Sequence, residues 1–301
     1  MERTLKLGKN TENSNIVKRR GERYHVRPVQ VDRYDTWILL IRDPIDRIQT
    51  SWIFEHVDNY PLKKDPRPHA FKYKLFECYD TLDSMLTNGL FVDNPSSPSQ
   101  PEGDICPLLA KQVFEQPPPR EGYGMYHFQH NFTKYFSDLL KVKETKKIYV
   151  IRSEHMLDDL NKVEVMLGAP SNQTFTELVP WNHYRVDSQN DLPKHDRSLS
   201  KQGLANLCEV MCEEIVIYRQ LFHAAANLGE GDFRGMMDKL TKRCPHESRT
   251  SICPPRQHLL TEEEKQRVYD EYYDRWGYPP DFDYEINGKV KKQKKQETAV
   301  K

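Results

Sequence analysis

The stretch TWILLIRDPIDRIQTSW, residues 36–52, restricts the fold more than any other part of the chain. Five consecutive apolar residues, Trp37 to Ile41, stop abruptly at Arg42. An unbroken apolar run of that length is the pattern of a strand covered on both faces, as in a parallel sheet. Asp43 can then cap a helix, with Pro44 at its first position and Asp46 in its first turn. Ile45, Ile48 and Trp52 follow at helical spacing. Arg42 therefore falls at the carboxyl end of a parallel strand, where open α/β sheets hold their ligands.

A second unit of the same kind follows. KKIYVIRS (146–153) predicts a buried strand, and EHMLDDLNKVEVML a helix, with Met156, Leu160, Val163 and Leu167 on one stripe and Gly168 as its stop. Two strand–helix units in a row predict an α/β fold with a parallel sheet. Further helices are expected at about 71–88, ended by Gly89, at 125–140 and at 261–275. A single long one is expected over 199–228, with Leu207, Met211, Ile215, Tyr218, Leu221, Phe222 and Ala225 inward. Residues 1–33 are polar and basic. Residues 93–119, rich in Pro and Ser, predict a long surface loop, and 289–301 a lysine-rich disordered tail behind one domain spanning 1–288.

Charge decides which partners the bulk composition can attract. The chain has 45 basic and 45 acidic side chains, so no global field draws it to nucleic acid or to a membrane surface. Anion binding must come from local clusters. Trp37–Ile41 is the longest apolar run, far below the roughly 20 residues of a membrane span, which leaves no membrane contact from this chain itself. MERTLKLGKN has no apolar core of the kind a secretory signal needs. Six cysteines occur without a CxxC pair, so the usual zinc spacing is missing and no metal is expected. Cys244 and Cys253 close a short polar loop, which leaves a disulfide and free thiols both open there. Cys208 and Cys212, one turn apart, predict buried free thiols. Asn131-Phe-Thr133 and Asn172-Gln-Thr174 are glycosylation tripeptides, a weak sign of a lumenal protein.

The chemistry around Arg42 suits an anion. A helix N-terminus offers free N–H groups and partial positive charge. Arg42 and Arg47 add planar forks that fit phosphate, and Thr50 and Ser51 add hydroxyls. The competing expectation is a local salt-bridge set in which Arg42 and Arg47 pair with Asp43 and Asp46.

RDPIDRIQTSW resembles the 3'-phosphate-binding segment of sulfotransferases that use 3'-phosphoadenosine 5'-phosphosulfate (PAPS), in particular the carbohydrate and Golgi-type branch, where Arg-Asp-Pro-x-x-Arg is typical. IYVIRSEHMLDDLNKVEVMLG resembles that family's later strand and helix, and LSKQGLANLCEVMCEEIVIYRQLF, more loosely, its late helix. The resemblance implies a three-layer P-loop-like fold with a central parallel sheet flanked by helices. It assigns phosphate binding to Arg42 and to Thr50 at the family's serine position, with Arg47 and Ser51 beside them. The loop that cradles the 5'-phosphosulfate has one candidate, LKLGKNTENSN, with Lys6, Gly8, Lys9 and Thr11; Glu12 and Asn13 depart from the pattern, and the strand before it has almost no length. This departure implies either a chain that begins after its donor strand or a relative that has lost donor activation.

The activity implied is sulfuryl transfer from PAPS to a carbohydrate hydroxyl, without metal, in the Golgi lumen if a targeting segment precedes the chain. His25 is the candidate base, with His56, His127 and His130 behind it. Glu154 is expected to hold Arg152 or cap the next helix, and PWNHYRVD (180–187) either to contact an acceptor sugar or to form an ordinary loop. A non-catalytic protein that holds the desulfonated nucleotide (PAP) or a sulfated glycan is the alternative. A P-loop kinase is disfavoured because no G-x-x-x-x-G-K-[ST] occurs.

Overall fold

The structure, a computed structural model, describes residues 34–56, 70–91, 105–114, 128, 132–170, 198–254 and 260–276. The chain divides into two compact units, residues 1–53 with 130–256 and residues 54–129 with 257–301. The described residues are mostly helical, with a small two-stranded parallel sheet, an α/β-like composition.

The first unit holds the sheet. Strands β1 (Thr36–Ile41) and β2 (Lys147–Arg152) pair in parallel, with Thr36 opposite Lys147 and Ile41 opposite Arg152. Helix α1 (Pro44–Glu55) leaves β1 as the apolar spacing predicts, and Ile45, Ile48 and Trp52 are buried. In this unit also lie α5 (Phe132–Lys141), α6 (Met156–Met166), α7 (Lys201–Val210), α8 (Cys212–Ala224) and α9 (Glu230–Arg243). Helix α6 packs on β2, where Tyr149, Ile151 and Val163 form a buried cluster with Met156 and Leu160 against it. Leu167, expected on that stripe, is exposed instead, just before the positive-φ Gly168 that stops the helix.

Strand β1 is covered less than its apolar run predicts. Ile38 is 45% and Leu40 59% exposed. The register sets them beside Tyr149 and Ile151, so they share the face that α6 covers on β2 alone. The long helix expected over 199–228 is broken at Met211 into α7 and α8, although every inward position predicted for it is buried. Helix α9 was not foreseen: Gly229, Gly231 and Gly235 mask the spacing of its buried Met236 and Leu240.

The second unit holds α2 (Ala70–Cys78), α3 (Leu82–Asn88), α4 (Cys106–Phe114) and α10 (Glu262–Trp276). The helix expected over 71–88 is interrupted because Thr81 starts a new one. Its hydroxyl accepts the Ser84 N–H (3.0 Å) and the Ser84 hydroxyl accepts the Thr81 N–H (3.3 Å). Inside the predicted 93–119 loop, α4 forms with Leu108, Leu109, Ala110 and Val113 buried. Its flanking Pro and Ser residues concealed a nine-residue helix that Cys106 ties to Cys78.

All six cysteines are bridged: Cys78–Cys106, Cys208–Cys244 and Cys212–Cys253. This corrects the expected free thiols at Cys208 and Cys212 and excludes a Cys244–Cys253 bridge. Spacing along the chain cannot show that α7 and α8 meet the segment after α9.

Candidate functional site at the carboxyl end of the sheet

Parallel pairing brings two charged junctions to one end of the sheet. Arg42 follows β1, and Arg152 ends β2, followed by Ser153 and Glu154. Arg42 is exposed and takes no ion pair or hydrogen bond from any described residue.

Asp43 is buried and caps α1 as predicted, its Oδ1 accepting the N–H groups of Ile45 (2.9 Å) and Asp46 (3.1 Å). The donors expected to be free for an anion at this helix end are therefore engaged by the chain's own carboxylate.

Asp43 and Asp46 find cations on α9, where a local set with Arg42 and Arg47 was the competing expectation. Asp46 pairs with Lys239 and Arg243 of α9, each at 2.6 Å, and Asp43 lies 3.4 Å from Lys239. Arg243 also donates to the Gln49 side chain at 2.9 Å. Burial works against the charge on Asp46, yet the hydrogen bonds from Lys239 and Arg243 outweigh it and hold the carboxyl below its usual range. Lys239 moves the opposite way: burial opposes its charge, but Asp46 and Asp43 raise it. These pairs come from about 190 residues away in sequence, beyond the reach of any local pattern.

Arg47 and Ser51 have partners within the protein. Arg47 is 14% exposed, its guanidinium 3.4 Å from Glu214 and over the Phe132 ring at 5.3 Å. Burial lowers its affinity for the proton, and Glu214 partly offsets that. The Ser51 hydroxyl donates to the Arg47 carbonyl of its own helix (2.7 Å). Thr50 is half-buried on α1.

On the β2 side, Arg152 is held by Asp159 through Nε (2.7 Å) and Nη2 (2.6 Å), and by Asp232 at 2.9 Å. Asp159, with burial opposing, strengthens the guanidinium's hold on its proton. Glu154, expected to hold Arg152 or cap the next helix, is exposed and accepts from the Ser153 hydroxyl (3.1 Å). It acts at longer range: the Tyr218 phenol is raised by burial first and then by Glu154 and Asp43.

Of the remaining candidates, His56 is half-buried with its ring 4.5 Å from that of Phe76. Lys6, Gly8, Lys9, Thr11, His25, His127 and His130 lie outside the described residues, as do Asn131, Asn172 and residues 180–187. Cys208, Cys244 and Glu247 bring possible metal-ligand atoms within 4.8 Å of one another, but the two sulfurs are bonded to each other and offer no thiolate. No described helix is long and apolar enough to cross a membrane. No protein-family model, no curated protein and no solved structure matches the chain.

Proposed function

We propose that this protein is a PAPS-dependent sulfotransferase of the carbohydrate and Golgi type, moving a sulfuryl group to a hydroxyl of a carbohydrate acceptor. The observation that carries the reading is Arg42. It is exposed, without an ion-pair partner among the described residues, at the carboxyl end of one of two adjacent parallel strands, and a capped helix follows at once. A guanidinium so placed is suited to the 3'-phosphate of PAPS or PAP. Thr50 is the hydroxyl proposed to accompany it. The finer architecture, a three-layer P-loop-like fold, belongs to the same proposal.

The reaction needs no metal. The acceptor oxygen attacks sulfur, the bond from sulfur to the nucleotide's phosphate oxygen breaks, and the acceptor proton passes to a base, for which His25 is nominated. Lys6, Gly8, Lys9 and Thr11 are the groups proposed to balance charge on the leaving phosphate. Glu12 and Asn13 in that loop favour a second reading, a non-catalytic protein that holds PAP or a sulfated glycan. Three disulfides support a site of action in an oxidising compartment such as the Golgi lumen.

Calorimetric titration with PAP tests the reading. The expected result is micromolar binding, about −8 kcal/mol, weakened by about 2 kcal/mol in Arg42→Ala, the size of a charge-assisted hydrogen bond. A folded chain that releases no heat with PAP overturns it. Transfer of labelled sulfate from PAPS then separates enzyme from binding protein.

A further inference from the structure

Asp43 and Asp46 set two carboxylates within four residues of Arg42 along the chain. Helix α9 supplies two cations against them. Lys239 Nζ lies 2.6 Å from Asp46 and 3.4 Å from Asp43, and Arg243 Nη1 lies 2.6 Å from Asp46 and 3.6 Å from Asp43. Two positive charges thus offset these two negative ones; beyond them stand Arg42, a third cation, and the exposed Glu154, a carboxylate that also acts on Lys239. The next residue after Arg243 is Cys244, whose bridge to the buried Cys208 of α7 fixes the end of α9. The Arg243 guanidinium is held on the start of α1 by that bridge and by its bond to Gln49.

We propose that Lys239 and Arg243 are positioning residues that make this end of the sheet accept a phosphate-type anion, acting through Asp43 and Asp46 without touching the ligand. The inference rests on the nucleotide reading of Arg42. It assigns the charge balance of the site to a helix that the RDPIDRIQTSW segment does not contain. Without Arg243 one of the two carboxylates loses its compensating cation, and the balance at this helix end becomes one charge less favourable to an anion.

The test compares the full chain with Arg243→Gln and with the double variant Asp46→Asn/Arg243→Gln, each shown to be folded by circular dichroism. Two probes are titrated at low salt: PAP by calorimetry, and inorganic phosphate by the side-chain nitrogen resonance of Arg42. Arg243→Gln is expected to weaken binding about tenfold, and the double variant to return within about threefold of the parent, because removing both charges restores the balance. Carbon NMR is expected to find the Asp46 carboxyl below its ordinary 3.8 in the parent and higher in Arg243→Gln.

Three results overturn the proposal: parent-like binding in Arg243→Gln, a double variant as weak as the single one, or an Asp46 titration that does not move. Each leaves the nucleotide reading standing if PAP binds the parent. Phosphate binding without PAP binding sinks the nucleotide reading alone, and the same variant comparison, made with phosphate, still decides the positioning role. A parent that binds neither probe overturns both.

Discussion

Glu214 shows how one buried side chain joins distant parts of the chain. Its carboxylate accepts the backbone N–H groups of Phe132 (2.6 Å) and Thr133 (3.0 Å), and the Thr133 hydroxyl (2.6 Å). It therefore caps α5 from 81 residues away and lies 3.4 Å from the Arg47 guanidinium. Removing it leaves two helix donors without their acceptor and takes from the Arg47 guanidinium the carboxylate 3.4 Å away. Glu214→Ala is expected to destabilise the fold by about 3–5 kcal/mol, the range for breaking a buried pair by deleting one partner. Glu214→Gln keeps one acceptor oxygen and is expected to lose less. Urea denaturation of both variants measures the difference, and equal losses would deny the carboxylate its role on Arg47.

At the scale of the element, the sheet shows how a strand edge is finished. The outer edge of β2 is closed by a side chain that imitates a strand. The Asn227 amide accepts the Val150 N–H (2.8 Å) and donates to the Val150 carbonyl (2.7 Å), and the Ala226 N–H donates to Ile148 (2.7 Å). These bonds fix the turn between α8 and α9 to the strand, and so set where α9 begins its run towards Asp43. Asn227→Ala orphans two buried backbone groups and is expected to cost about 2–4 kcal/mol. Hydrogen exchange is expected to show the Val150 amide, slow in the parent, exchanging markedly faster. An unchanged Val150 rate would mean that the edge closes without Asn227. Gly89 is a constraint of another kind: a Cβ there would stand 2.7 Å from the Tyr79 ring and 2.8 Å from Ala110, so close packing excludes any larger residue.

Across the whole molecule, cross-links hold what a small sheet cannot. The bridges span 28, 36 and 41 residues of sequence, and chain entropy assigns each about 3.5–4 kcal/mol. Two of them tie α7 and α8 to the segment that follows α9. The unreduced, denatured protein is expected to take up no iodoacetamide, and the reduced protein six equivalents, one per cysteine. Peptide mapping should recover the three pairs named above; a Cys244–Cys253 peptide would overturn the arrangement. Melting in a dithiol reductant is expected to fall well below melting without it.

Local sequence was enough to place the two strand–helix units, the cap at Asp43 and the buried stripes on α1, α7 and α8. Each is a local matter of side-chain period or of a residue bonding its near neighbours. It also singled out Arg42. Tertiary structure alone decided that Arg47 faces Glu214, that Arg152 answers to Asp159 and Asp232, that α9 supplies the cations for Asp43 and Asp46, and which cysteines pair. Most of these contacts join residues tens to hundreds of positions apart. No period or spacing reports them, because the energy that selects them exists only once the helices are packed and their charges leave water.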